Sequence, residues 1–374
     1  MTTQPFIDAD EHIIILDQPV GALSVDDLKR LRETGIKTCW AWVNWYSTEP
    51  RKGDYQWAIT DYIAERMGKA GMKLLLVTPN AGPTFAPDDW YLRTHDGHLW
   101  RAFYDGYREG WPYSEFSPWS AEAMAYEREF QRIVRDRYAG TGYVQCIAGG
   151  VHGAEAVLPG MTESWFDKGA VESFRGYARV AFNGDLGYFN KANRSAYADW
   201  AEVRPAMFPN RAAMEQHPTT TDWLHDTLMA VLEDRQAVFA EQPWRESWVM
   251  LPQRNTDFAE AYETGPRSCN WLAGELYQRL PAELGTTLNL MLYEVYRSSG
   301  TQGALDAIKG YEGSTWVGSQ FVQGLQVHTY AAIAQGLRGF LCGPLHPESG
   351  CNKLTPEMLQ IIAWSLGEWK AARG

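Results

Sequence analysis

Three glutamates in this chain stand where paired-carboxylate chemistry would need them. Glu155 follows an apolar strand in Gly149-Gly150-Val151-His152-Gly153-Ala154-Glu155, where glycines let the backbone approach a ligand closely and a partly apolar setting raises a carboxyl pKa. Glu312 lies in Gly310-Tyr311-Glu312-Gly313-Ser314-Thr315-Trp316, and Glu294 in Leu292-Tyr293-Glu294-Val295-Tyr296. Two such groups across one cleft can cleave an acetal. One protonates the leaving oxygen, and the other attacks carbon or activates water. That reaction needs no metal and no organic cofactor, so none is expected. Glu155 is the first candidate, and Glu312 is preferred over Glu294 as its partner.

Elements that recur along the chain must position these groups. Thr34-Gly35-Ile36-Lys37 and Ala70-Gly71-Met72-Lys73 each close an amphipathic helix with glycine and open a short apolar strand; Gln335-Gly336-Leu337-Arg338 is a third copy. A glycine just past a helix takes the left-handed conformation that ends it, and a strand directly afterwards is half of a βαβ unit. Spread over 374 residues, these joints predict one α/β domain, a (β/α)8 TIM barrel over residues 1–374. Its chemistry should sit at the C-terminal ends of the strands.

The expected strands are Ile13–Leu16, Thr38–Val43, Lys73–Thr78, Tyr143–Ala148, Ser247–Leu251, Thr287–Tyr293, Gly310–Trp316 and Gly339–Gly343. On this count Glu294 ends strand six and Glu312 ends strand seven. A first helix opens at Ser24 with Asp27 in the capping-box position and Leu28 and Leu31 facing inward. The next carries Ile59, Tyr62, Ile63, Met67 and Ala70 at helical spacing, and others span Ala121–Tyr138, Asp222–Ala240, Phe258–Leu280, Gln302–Ile308 and Phe321–Gln335. Long loops follow strands three and four, the second with helix around Phe174–Phe182 and Asn190–Trp200.

Composition narrows the partners. Forty-six acidic against 34 basic residues give a net charge of −12, which disfavours nucleic acid. No apolar run reaches transmembrane length, and the N-terminal residues lack the basic and apolar regions of a signal peptide. Five cysteines without a CxxC pair fit a reduced compartment, so a cytoplasmic location is the expectation. The 17 Trp, 19 Tyr and 14 Phe are abundant even in polar loop segments, which suits the C–H faces and hydroxyl rims of sugars.

At this point the chain resembles a known family. The run from Trp40 to Tyr55, containing Trp45, Glu49-Pro50 and Gly53-Asp54-Tyr55, is similar to the second-strand segment of clan A glycoside hydrolases, most like family 42 β-galactosidases. Thr78-Pro79-Asn80-Ala81, the stretch Phe182–Trp200 and Ala331-Ala332-Ile333-Ala334-Gln335-Gly336 agree in order with that family's later segments. The resemblance implies hydrolysis of a β-glycosidic bond with retention, acid/base Glu155 and nucleophile Glu312. It also makes a homo-oligomer an expectation, because related enzymes often assemble. The chain departs from the family in carrying Ala154 where an asparagine precedes the acid/base. The Gly-x-x-Gly-x-Glu pattern at Glu155 also resembles β-amylases, which invert, although none of their other signatures occurs.

Strand-end position nominates the substrate contacts: Asn44, Trp45 and Glu49 after strand two, Asn80 after strand three, His152 before the acid, Arg254 after strand five, Tyr293 and Glu294 at strand six, and Trp316 at strand seven. Trp45 and Trp316 are the expected sugar platforms. Two other readings stay open. One is a barrel that binds carbohydrate without cleaving it. The other is a metal-dependent amidohydrolase entered at Asp8-Ala9-Asp10-Glu11-His12, which would need further histidines at later strand ends.

Overall fold

A computed structural model describes residues 6–7, 12–15, 23–80, 82–83, 85–93, 95, 97, 116–148, 165–207, 216–239, 248–252, 289–293, 315–319, 324–334, 336, 339–342 and 354–373. Eight parallel strands close into a barrel in sequence order: β1 (Ile13–Ile15), β2 (Thr38–Asn44), β3 (Lys73–Asn80), β4 (Val144–Ala148), β5 (Trp248–Pro252), β6 (Asn289–Tyr293), β7 (Thr315–Ser319) and β8 (Gly339–Cys342). The first strand pairs with the last, Ile13 against Leu341, so the sheet has no free edge.

The glycine joints do what their sequence requires. Gly35, Gly71 and Gly336 all have positive φ, at 109°, 66° and 72°. Helix α1 (Val25–Glu33) starts at Ser24, whose hydroxyl accepts from the Asp27 amide while the Asp27 carboxylate accepts from the Ser24 amide. Such a cap is worth about 1 kcal/mol. A single turn, α2 (Trp45–Thr48), follows β2 directly, and α3 (Ala58–Ala70) and α4 (Ala121–Tyr138) cover β2 to β4.

Alternation along the strands divides the core into two compartments. Cys39, Ala41 and Val43 on β2, Leu74 and Leu76 on β3, and Val144 and Cys146 on β4 join one buried cluster with Leu31, Ile63, Met67, Phe130 and Val134 of the helices. Their neighbours in the strands therefore face into the barrel: Trp40 and Trp42, Leu75 and Val77, Gln145 and Ile147. On α3 the buried stripe is Thr60, Ile63, Ala64, Met67 and Ala70. Ile59 and Tyr62, counted with them in the helical spacing, lie on the flank at 46% and 41% exposure, with the Arg66 guanidinium over the Tyr62 ring.

The segment after β4 carries α5 (Lys168–Ala181) and α6 (Leu186–Ala192), then leads to α7 (Pro218–Phe239). The second of these replaces the helix expected at Asn190–Trp200, because Asp185 accepts from the Tyr188 amide and starts the helix earlier. The long loops after β3 and β4 are tied together. Arg93 bridges to Trp165, Ser117 Oγ donates to Asp167 Oδ1 at 3.0 Å, and Trp119 stacks on Trp223 at 4.7 Å. After β7 come α8 (Gly324–Ala334) and, beyond β8, α9 (Pro356–Arg373), which lay outside the sequence expectations. The helices expected at Phe258–Leu280 and Gln302–Ile308 lie outside the described residues.

Candidate active site at the strand C-termini

The C-terminal end of β2 and that of β3 bring two of the nominated residues together. Asn44 and Asn80 are register partners across a β-bulge that follows Trp42. Further round the barrel, beyond β4, Tyr293 ends β6 opposite Pro252, the last residue of β5. Arg254 comes two residues after Pro252, Glu294 directly after Tyr293, and Glu155 seven after Ala148 at the end of β4; these three, with His152, lie outside the described residues.

The seventh strand begins later than expected. It runs Thr315–Ser319 rather than Gly310–Trp316, with Trp316 opposite both Met291 and Gly339. Trp316 is therefore its second residue, in the N-terminal half, and is not a strand-end platform. Glu312 lies outside the described residues, three positions before the strand opens rather than at its end.

Trp45 is also corrected. Its ring is 1% exposed, stacked on Phe130 at 4.4 Å and on Tyr126 at 5.7 Å, with the Phe116 edge at 5.2 Å. Protein covers its faces, so it supports the site from the helix layer instead of stacking a sugar. Its indole N–H donates to Glu49 Oε2 at 2.7 Å. Glu49 is fully buried, and its other oxygen accepts from the Gly53 amide at 2.7 Å and from the Tyr126 hydroxyl. Burial, followed by the Glu49 carboxylate, pushes the Tyr55 phenol up to about 12, and the same two causes raise Tyr126. Glu49 is thus a satisfied anchor that fixes the turn after β2 against α4.

The metal-dependent alternative meets a different obstacle. His12 stands at the N-terminal end of β1, away from the strand ends that carry chemistry in barrels. Both its ring nitrogens are committed, Nε2 to Ser365 Oγ at 2.8 Å and Nδ1 to the Phe340 amide at 3.3 Å. Among the described residues no cluster of His, Cys, Asp or Glu is arranged to hold a metal ion. Asp8, Asp10 and Glu11 lie outside them. No described helix is long and apolar enough to cross a membrane.

The sequence profile of glycoside hydrolase family 42, described as β-galactosidase, matches residues 21–233, more than half of the chain. The chain belongs to this family. A β-galactosidase of Bifidobacterium bifidum, BbgII, is 26% identical over 125 residues, covering 32% of this chain and 17% of that protein. The chain thus matches about one sixth of the length of its curated relatives. Among solved structures, the β-amylase catalytic domain of Paenibacillus polymyxa superposes with a TM-score of 0.69 over 98% of this chain and all of that one, at 12% identity. The β-galactosidase of the psychrophilic Marinomonas ef1 gives 0.64 over 96% of this chain and 59% of that one, at 14% identity. These likenesses show the TIM-barrel fold of glycoside hydrolases.

One inward residue escaped the sequence reading. Trp42 lies on the same strand face as Trp40, and its signal was the Trp40-Ala41-Trp42-Val43 alternation within β2.

Proposed function

We propose that this family 42 barrel hydrolyses a β-glycosidic bond with retention, using Glu155 as acid/base. Membership of the family carries the reading. The relatives named as β-galactosidases make a terminal β-galactoside the first substrate to try. Glu155 would protonate the departing oxygen and later take a proton from water as the glycosyl-enzyme is hydrolysed.

For the attacking carboxylate, the bounds of β6 and β7 support Glu294 over Glu312. Glu294 follows the last residue of β6, on the side of the barrel where chemistry is done. Glu312 precedes β7, and residues 313–347 contain neither Asp nor Glu, so the sequence offers no carboxylate directly after that strand. Asn44 and Asn80, in register at the rim, would supply amide donors and acceptors to sugar hydroxyls. His152, Arg254 and Tyr293 are assigned to the same rim from their positions after β4, β5 and β6.

The test is turnover of a panel of aryl β-glycosides, p-nitrophenyl β-D-galactoside first, by wild type and by Glu155→Gln, Glu294→Gln and Glu312→Gln. Loss of about 100-fold or more in the first two variants, with Glu312→Gln near wild type, is the expected result. Activity that survives Glu294→Gln but not Glu312→Gln would return the nucleophile to Glu312. Saturable sugar binding without turnover by wild type would identify a binding barrel. NMR of the first-formed sugar anomer separates retention from inversion.

A further inference from the structure

We propose that Trp42 forms the floor of the carbohydrate site, its ring closing the barrel interior and meeting the apolar face of the sugar bound above it. The inference rests on the carbohydrate reading but not on catalysis. Its basis is the placement of two tryptophans in one barrel-facing column. Cys39, Ala41 and Val43 pack outward with the helices, so Trp40 and Trp42 point inward. Their rings meet edge to face at 4.4 Å.

Interior layers of such barrels are ordinarily filled by Val, Ile and Leu. Here β3 supplies Leu75 and Val77, and β4 supplies Gln145 and Ile147, while β2 contributes two indoles. Trp40 is opposite Leu75, in the middle of the barrel, and is wholly buried. Trp42 is opposite Val77, one layer nearer the C-terminal ends, and keeps 6% exposure where Val77 keeps none. The next register pair towards the rim is Asn44 with Asn80. An apolar ring surface below Asn44 matches a pyranose, which presents C–H groups on its faces and hydroxyls around its edge. Trp40 fills the space beneath, so a bound ring goes no deeper than Trp42.

Isothermal titration with D-galactose and with methyl β-D-galactoside tests this in folded protein, alongside KM and kcat on p-nitrophenyl β-D-galactoside. Trp42→Leu should weaken binding at least tenfold and raise KM with a smaller change in kcat; Trp42→Phe should weaken it less. Trp40→Leu, one layer lower, should lose thermal stability and leave the affinity of the folded protein unchanged. Wild-type affinity in Trp42→Leu, equal weakening by Trp40→Leu, or no sugar binding by wild type would each overturn the proposal. Should Trp42→Leu fail to fold, side-chain N–H spectra decide. The indole resonance missing from Trp42→Phe must be among those that galactose shifts in wild type. Binding that depends on Trp42 without turnover would sink the hydrolase reading and leave the floor in place.

Discussion

His12 and Ser365 meet 2.8 Å apart although 353 residues separate them, and the contact fixes the imidazole tautomer. Nδ1 must accept, because its partner is the Phe340 amide, so Nε2 carries the proton and donates to Ser365. Thr329 Oγ1 stands 2.8 Å from Ser365 Oγ and itself donates to the Leu325 carbonyl at 2.6 Å. The ring is packed edge-on to Phe340 and Trp369, and no described charged group touches it. This chain of hydrogen bonds joins β1, α8 and α9 beneath the barrel.

Burial holds the His12 pKa down at about 3, against 6.5 when the chain is unfolded. Between those values the unfolded chain binds a proton that the folded protein refuses. Its stabilising contribution is therefore complete above pH 6.5 and is lost as pH falls towards 3, with a limiting slope of about 1.4 kcal/mol per pH unit. Urea unfolding of wild type and His12→Gln from pH 7.5 to 4 should show the variant less stable at neutral pH and the gap closing in acid. Parallel curves would contradict the assignment.

Glu127 and Arg235 form a second long-range tie. Arg235 Nε donates to Oε1 at 2.6 Å and Nη2 to Oε2 at 3.1 Å, both side chains being buried between α4 and α7. Removing one partner strands the other charge in the interior, at a cost of about 3–5 kcal/mol, whereas an apolar pair of similar volume costs far less. Glu127→Met or Arg235→Met alone should lower the urea midpoint strongly. The double variant should recover a large part of the loss, and additive losses would show that the pair is not coupled.

The barrel was legible because its punctuation is local: a glycine that must turn left-handed and an apolar run after it are visible without tertiary knowledge. The seventh strand was misplaced because Thr315-Trp316-Val317-Gly318-Ser319 has little apolar content, while its two neighbours supply the pairing that makes it a strand. Helix α9 carried a signal that was overlooked, with Thr355 capping the Met358 amide and Met358, Ile361, Ile362, Leu366 and Trp369 buried along one stripe. Trp45 was misread for a deeper reason. Its position after a strand is local, but the rings that cover it come from α4 and from the loop after β3.

Two helical glycines should respond oppositely to the same change. A Cβ on Gly176 of α5 would meet nothing within 4 Å, so Gly176→Ala should gain about 0.5–1 kcal/mol from reduced backbone entropy. A Cβ on Gly68 of α3 would lie 2.7 Å from the Tyr143 ring, which must swing aside to admit it. Gly68→Ala should therefore melt below Gly176→Ala, and combining it with Tyr143→Leu should remove that penalty.

Glu49 links stability to the aromatic wall around the site. Its carboxylate accepts from Trp45, Gly53 and Tyr126, and its charge helps to raise the Tyr55 phenol. An amide has only one accepting atom and presents N–H to these donors. Glu49→Gln should then cost about 1–3 kcal/mol, the penalty for leaving a buried donor without its acceptor. Removing the negative charge should also let the Tyr55 phenol titrate below its raised value of about 12, while burial keeps it above that of free tyrosine. Thermal melting and an ultraviolet tyrosine titration of wild type, Glu49→Gln and the Tyr55→Phe control read both effects. An unchanged melting temperature would mean that Glu49 is not the anchor of the turn after β2.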